Sequence, residues 1–192
     1  MTAAPPEPVV ARYLLDKSLS RFTVRAFASG MLSALGHSPT IAIRNFTGEA
    51  DFDPANPEQA LLRVQIRADS LEVTDDINNK DRREIESTMN QKVLESAKYP
   101  EIVFESSGVS AEQLGEGRYR VKMNGNLSLR GVTRKIPLMA QMNLSGDTLR
   151  GSGEFSILQT DFGIPLVNVA GGMLKLKDEL KFNFDIVARE QG

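Results

Sequence analysis

Side chains suited to covalent or acid–base chemistry are scarce in this sequence. There is one histidine, His37, within Leu35–Pro39, and there is no cysteine or Gly-x-Ser-x-Gly elbow. A serine nucleophile needs a general base, and His37 is the one imidazole that could serve. An enzyme would therefore need His37 to face a substrate cavity, with an acid or hydroxyl within hydrogen-bonding reach. The alternative is that His37 makes structural hydrogen bonds in a turn.

The acidic residues and glycines give no stronger catalytic signal. Asp75 and Asp76 are adjacent, so on a strand they would point to opposite faces and make a poor acid/base pair. The segments Gly115–Gly117 and Gly151–Gly153 lack the strand–loop–helix context of a phosphate loop. Within a strand, such glycines usually mark a bend or the close approach of another backbone. We expect no catalytic residue, no metal site and no cofactor.

Composition narrows the range of partners. The chain has 192 residues and a net charge of −2, and its positive and negative residues are interspersed. No basic surface is therefore expected to hold nucleic acid. No run of eighteen apolar residues occurs, which predicts no transmembrane segment. Residues 1–11 are proline-rich and lack a signal-peptide pattern, so we expect a disordered N-terminal tail and a cytoplasmic protein.

Alternation of apolar and polar residues dominates the rest of the chain. Residues 121–130 place Val121, Met123, Gly125, Leu127 and Leu129 on one face. Such alternation is typical of antiparallel sheets with one dry face and one wet face. Segments rich in Gly, Pro, Asn and Asp separate the alternating runs. The pattern predicts eight strands, at about 12–27, 38–52, 60–74, 101–109, 118–130, 134–144, 148–158 and 172–188.

One segment, residues 78–94, departs from the alternation. It is charged and rich in helix formers, and Ile85, Met89 and Val93 recur at helical spacing on one stripe. Asp81 is the predicted N-cap. We therefore predict one or two short helices in a crossover between the third and fourth strands; an ordered loop is the alternative.

These patterns predict an all-β single domain. Eight antiparallel strands favour a closed barrel or a sandwich, and closure removes exposed strand edges. The interior of an eight-stranded barrel has room for packed side chains or for one small ligand. We expect the barrel to occupy residues 12–188, followed by a short C-terminal tail at 189–192.

Five motifs occur in the order seen in a known family. They lie at Tyr13–Val24, Phe46–Asp53, Tyr99–Ser106, Gly125–Leu138 and Phe155–Ile164. On these residues the chain resembles the YceI-like family of polyisoprenoid-binding proteins with a lipocalin-like barrel, over about residues 12–188. The resemblance implies an elongated eight-stranded antiparallel barrel with a short helical insertion between strands three and four. It also implies an apolar tunnel for an isoprenoid or a similar lipid.

Combining the resemblance with the alternation gives a set of expected lining residues, although ordinary core packing would explain each of them individually. They are Phe22, Val24, Val64, Ile66, Phe104, Leu127, Leu129, Phe155, Phe162, Phe182 and Phe184. His37 and Gln159 are expected contacts for the lipid head group. The family commonly carries arginine where this chain has Gln159, which favours a neutral head group over a phosphate. Pro39 replaces a second histidine of one subgroup, so no paired-histidine metal site is expected.

Three functional hypotheses follow. In the first, the barrel binds and carries or stores a long apolar amphiphile (an isoprenoid, an isoprenoid quinone or a fatty-acid-like lipid) without catalysis. In the second, the barrel is filled and acts as a stress-response or interaction module through its surface. In the third, the protein modifies a lipid by using His37. The sequence leaves open the oligomeric state, including a homodimer.

Overall fold

The computed structural model describes residues 10–29, 38–169 and 174–192. Within these residues the strands are β1 (Ala11–Leu15), β2 (Arg21–Ser29), β3 (Thr40–Ile43), β4 (Phe46–Phe52), β5 (Leu61–Arg67), β6 (Leu71–Val73), β7 (Glu101–Gly115), β8 (Arg118–Leu129), β9 (Val132–Ser145), β10 (Thr148–Leu158), β11 (Asn168–Val169) and β12 (Leu174–Glu190). The helical elements are α1 (Asn79–Thr88), a π-helical turn (Met89–Val93) and 3₁₀ turns at Pro57–Gln59, Ala68–Ser70 and Gln159–Phe162.

Eight of these strands close into an antiparallel barrel, which confirms the predicted fold class. Their order is β1, β4, β5, β7, β8, β9, β10 and β12, and β12 pairs back onto β1. Tyr13 lies opposite Ala50 of β4 on one side and opposite Glu190 of β12 on the other. The N-terminal part of β12 pairs instead with β2, and the sheet continues from β2 to β3 and then to β6. Because the sheet closes, the strands of the ring pair on both sides.

The first three predicted strands are each broken in the structure. The first is divided into β1 and β2, and a buried serine lies at the break. The hydroxyl of Ser20 accepts a hydrogen bond from the Val187 amide at 2.9 Å and donates one to the Val187 carbonyl at 3.1 Å. The Ser20 side chain therefore provides the hydrogen-bond partners of the Val187 backbone, at the point of β12 between the part that pairs with β1 and the part that pairs with β2.

At several strands the limits differ from the predicted ones, among them the ends of β7 and β12. Strand β7 continues to Gly115 instead of ending at residue 109, because residues beyond Ser106 pair with β8 after a register shift. That irregularity interrupts the alternation, so the sequence pattern stops before the strand does. At the C-terminus, β12 continues to Glu190, within the segment expected to be a tail.

The helical segment lies between β6 and β7. Its N-cap is Asn78, whose side chain accepts the Asp81 amide at 2.9 Å, so the prediction of Asp81 as the cap is wrong. Asp81 lies inside the first turn and contributes the capped amide. Met89 is buried in the core, in keeping with the predicted apolar stripe. The Leu94 amide bonds to the Met89 carbonyl at 2.8 Å, which closes the π-helical turn.

This helical segment covers the backbone of β6. The Val73 amide donates to Glu86 at 2.9 Å, and the Arg82 guanidinium donates to the carbonyls of Val73 and Asp75. Among the described strands, β6 pairs with β3. Side chains of α1 therefore complete the hydrogen bonding on the other side of β6.

Candidate functional site

A cavity of about 550 Å³ occupies the barrel interior. Its wall is built from residues of β2, β3, β5, β6, β7, β8, β9, β10 and β12 together with one face of the helical segment. The alternation places side chains in the interior at every second position. On β8, for example, Leu127 and Leu129 are buried whereas Asn126 is exposed. The wall is consequently almost entirely apolar.

Several large side chains on this wall are only half-buried although they point into the barrel. They are Phe22, Ile66, Ile102, Phe104, Phe155, Leu180, Phe182 and Phe184. An inward-facing side chain in a close-packed core would be buried on all sides. Here one side of each residue borders a void wide enough to admit water. The interior therefore presents apolar surface that the protein itself does not cover.

Ten of the eleven predicted lining residues lie on the cavity wall, and Phe162 does not. Phe162 is 1% exposed and packs in the surrounding hydrophobic core. It belongs to the 3₁₀ turn Gln159–Phe162, so the alternation of β10 no longer decides where its side chain points. The predicted head-group contact His37 lies outside the described residues.

Sequence reasoning left out part of the wall. The missed residues come mainly from the short strands β3 and β6 and from the helical segment: Ile41, Ile43, Leu71, Val73, Ile85, Met89 and Val93. The stripe at helical spacing was visible in the sequence, but nothing in it indicated that the stripe faces a cavity. The short strands offer too few residues for the alternation to assign a face.

Aromatic side chains shape the wall, and glycines make room for them. Phe155 and Phe182 stack with ring centroids 4.9 Å apart and planes at 6°. A Cβ atom at Gly125 would lie 2.2 Å from Cζ of Phe104, so this ring lies over the bare backbone of β8. The glycine thereby keeps the Phe104 ring against the wall instead of in the lumen.

Some of the polar residues that line the cavity belong to α1. Asp81 and Glu84 are exposed and also line the cavity, so the cavity opens to solvent there. Asp75 and Lys175 also belong to the lining. We call these four residues the mouth. Three of them are acidic and one is basic, so the mouth has a net negative charge.

Gln159 is a buried polar residue on the cavity wall, at 2% exposure. Its Nε2 donates a hydrogen bond to the Lys177 carbonyl at 2.9 Å. Since a carbonyl can only accept, this bond fixes the orientation of the amide. Among the described residues, none donates a hydrogen bond to Oε1. The side chain therefore offers an acceptor.

The turn that carries Gln159 is fastened to β12 by Asp178. This carboxylate accepts the Thr160 hydroxyl at 2.6 Å and the Thr160 amide at 2.9 Å. The hydrogen bond from the Thr160 side chain, followed by that from its amide, lowers the pKa of Asp178 below its usual value. The position of Gln159 thus depends on a charged carboxylate next to its turn.

No group of three or more His, Cys, Asp or Glu side chains within 10–29, 38–169 and 174–192 is arranged to hold a metal ion. In the same ranges, no helix combines the length and the apolar character needed to cross a membrane.

Comparisons with known proteins agree with this architecture. The family model described as "YceI-like domain" matches residues 13–188. A protein of Azotobacter vinelandii named "UPF0312 protein" is 31% identical over 166 residues, which span 82% of this chain and 79% of that protein. BcnA of Burkholderia cenocepacia superposes with a TM-score of 0.70 at 18% identity, over 90% of this chain and 98% of BcnA. A polyisoprenoid binding domain from Saccharophagus degradans gives a TM-score of 0.66 at 14% identity, over 93% of this chain and 98% of that domain. At these identities, the two structures show a shared fold.

Proposed function

Because the chain belongs to the YceI-like family, we propose that its barrel binds one long apolar amphiphile and carries or stores it without catalysis. The proposed ligands are an isoprenoid, an isoprenoid quinone or a fatty-acid-like lipid. The similar domain from Saccharophagus degradans is described as polyisoprenoid binding, which supports this ligand class.

The observation that carries the proposal is the half-buried apolar wall around a cavity of about 550 Å³. Pockets for small organic ligands typically enclose roughly 300–1,000 Å³ and are lined mainly by apolar side chains. Each methylene group moved from water into such a cavity contributes roughly 0.8 kcal/mol. A long hydrocarbon chain would thus bind tightly through burial alone, without specific polar contacts.

The head group is proposed to lie toward the polar part of the wall. The net negative charge of the mouth disfavours a phosphate or carboxylate there. Gln159 presents an acceptor oxygen, because its Nε2 already bonds to the Lys177 carbonyl. Of the proposed ligands, an isoprenoid alcohol, whose O–H is a donor, therefore fits Gln159 better than a quinone or a carboxylate, whose oxygens only accept. A contact between the head group and His37 stays a prediction.

Native mass spectrometry of protein purified from cells tests the central proposal. We expect one lipid per chain, and we expect the delipidated protein to bind a fluorescent prenol. The matched variants are Ile66→Trp, which places a bulky ring in the lumen, and Gln65→Trp on the opposite face of β5. Ile66→Trp should weaken binding by about tenfold, the effect of losing room for two methylene groups. Binding of no lipid by the wild-type protein, or equal weakening by both variants, would overturn the proposal.

The absence of catalysis is tested on the same loaded protein. After prolonged incubation, mass spectrometry of the extracted lipid should return the mass that was loaded. A changed mass that is no longer produced by His37→Ala would instead establish a lipid-modifying activity that depends on the single histidine.

A further inference from the structure

A second, smaller cavity, which we call the lower cavity, lies in the barrel interior next to the first, which we call the upper cavity. It has a volume of about 70 Å³ and is lined by residues of both ends of the chain, including Leu15 of β1 and Ala188 of β12. Four residues border both cavities: Leu62, Leu138, Phe184 and Ile186. We call these four residues the partition. They come from β5, β9 and β12, so different parts of the barrel wall meet between the two cavities.

Small side chains line much of the lower cavity. They are Ala50, Ala60, Ala111, Ala140, Ala188 and Gly151. The upper cavity, in contrast, has Ala26 as its one alanine and no glycine among its described lining residues, and its other apolar residues are larger. Small residues around an interior void leave space that larger apolar residues would fill at a gain in packing. Removing the partition would therefore join the upper cavity to further apolar space.

Phe184 is the aromatic member of the partition, and glycine lies beneath its ring. Phe184 pairs with Gly153 of β10. A Cβ atom at Gly153 would lie 2.7 Å from Cζ of Phe184, so the lack of a side chain at Gly153 lets the Phe184 ring occupy its place between the two cavities. Phe184 is half-buried, because it borders the cavities instead of being enclosed by other side chains. Leu138, by comparison, is 8% exposed and is held more tightly.

The mouth and the partition give the upper cavity a polar part and an apolar end. A bound amphiphile is expected to keep its head group near the polar residues and to direct its tail toward the partition. A tail that reaches the partition must stop, fold back or displace Phe184. From this geometry we propose that Phe184 determines the length of hydrocarbon chain that the barrel accepts. This inference rests on the proposed lipid-binding function.

The test measures the affinities of Phe184→Ala and wild-type protein for prenols with three, four and five isoprene units. We expect Phe184→Ala to raise the affinity for the longest prenol relative to the shortest by about tenfold, the effect of burying two further methylene groups. Phe182→Ala is the matched control, because Phe182 lines only the upper cavity. It should weaken binding of all three prenols without changing their ratio.

A second variant links the effect to the lower cavity. Adding Ala140→Leu to Phe184→Ala refills that cavity and should return the ratio to the wild-type value. Circular dichroism establishes that each variant is folded, and Phe184→Leu, with an intermediate shift expected, replaces Phe184→Ala if that variant does not fold. If the wild-type protein binds prenols but Phe184 variants keep its ratio, the inference is wrong and the proposed function stands. If the wild-type protein binds no prenol, the proposed function itself fails.

Discussion

Arg130 and Glu95 form an ion pair, and both residues adopt left-handed backbone conformations, with φ of 51° and 48°. Arg130 and Gly131 make the two-residue turn between β8 and β9, where positive φ at both positions is the favoured hairpin geometry. Glu95 ends the helical segment, at a position where glycine is usual. Arg130 also donates to the Gly163 carbonyl. One guanidinium thus joins the helical segment, the β8–β9 turn and the segment after β10.

We predict that Arg130→Met lowers the free energy of unfolding by about 2 kcal/mol, because hydrogen bonds to charged, partly buried groups contribute about that much. The side chains of Arg130 and Glu95 are 19% and 34% exposed, so the pair is neither fully buried nor fully screened. Urea denaturation of Arg130→Met, Glu95→Gln and the double variant measures the coupling between the two residues. A loss well below about 1 kcal/mol in Arg130→Met would contradict the prediction. Strictly additive effects would show that the ion pair with Glu95 does not contribute to the loss.

The substitution Glu95→Gly separates the free-energy cost of the left-handed backbone at residue 95 from the contribution of the ion pair. Glycine relieves a left-handed conformation that costs other residues about 1–2 kcal/mol, while the ion pair is lost. We therefore expect Glu95→Gly to be more stable than Glu95→Gln in the same urea titration. Equal stability of the two variants would mean that the φ of 48° at Glu95 carries no cost.

Gly125→Ala should both destabilise the barrel and reduce its capacity for lipid. The new methyl group would lie 2.2 Å from Cζ of Phe104 and 2.9 Å from the Glu105 carbonyl oxygen, so the ring must move toward the lumen. Overpacking of this kind typically costs about 1–3 kcal/mol. Thermal unfolding and prenol binding measure the two effects.

Gly151→Ala is the control for this substitution, since its methyl group would meet Ile186 Cγ1 at 3.3 Å, which a small shift relieves. Phe104→Leu should partly rescue Gly125→Ala, because it removes the ring atoms that clash. A destabilisation of Gly151→Ala as large as that of Gly125→Ala would refute this account of the Phe104 ring.

Asp178 should make the turn of Gln159 sensitive to acid. Its pKa is lower in the folded protein than in the unfolded chain, chiefly through the Thr160 hydroxyl. The stabilisation is therefore fully present above the unfolded pKa, whose usual value is 3.8, and is lost as the pH falls through the folded pKa. Thr160→Val removes the strongest donor and should reduce the loss of stability between about pH 5 and pH 2.

Urea titrations of wild-type and Thr160→Val protein across this range test the prediction. Hydrogen bonds lower the pKa of Asp16 and Asp53 as well, from Ser18 and Asn56 respectively, so wild-type stability falls with acid for several reasons. The difference between the two proteins isolates the contribution of Asp178. Parallel pH profiles would rule that contribution out.

Arg82→Met should loosen the helical segment from β6. The substitution removes the guanidinium from the carbonyls of Val73 and Asp75, and Ile85 and Met89 of the same segment line the cavity. We expect the Val73 amide to exchange with solvent faster and bound lipid to dissociate about tenfold faster, as expected for loss of a charged hydrogen bond. Hydrogen exchange and competition with excess unlabelled prenol measure these rates. Arg83→Met, at an exposed neighbouring position, should leave both rates unchanged.

Much of the barrel could be predicted from the residues because a strand exposes alternate side chains to opposite faces. The inward set on β8, from Val121 to Leu129, follows from that period alone. The pattern failed where the backbone left the strand, at the 3₁₀ turn that carries Phe162 and at the register shift after Ser106. The pattern also gave no sign of the break at Ser20. The Ser20 hydroxyl forms a hydrogen bond with the backbone of Val187, which is 167 positions away in the chain.

The sequence by itself determined which faces are apolar, that eight strands alternate, and that the chain resembles a lipid-binding family. Only the tertiary structure decided whether the interior is filled or hollow. The same phenylalanines could have packed against one another, since apolar residues at alternate positions specify a dry interior but not its volume. The volume depends on which backbone lies beneath each ring, as with Phe104 over Gly125 and Phe184 over Gly153. Those contacts join neighbouring strands, β7 with β8 and β10 with β12, and the register of each pair brings the ring and the glycine together.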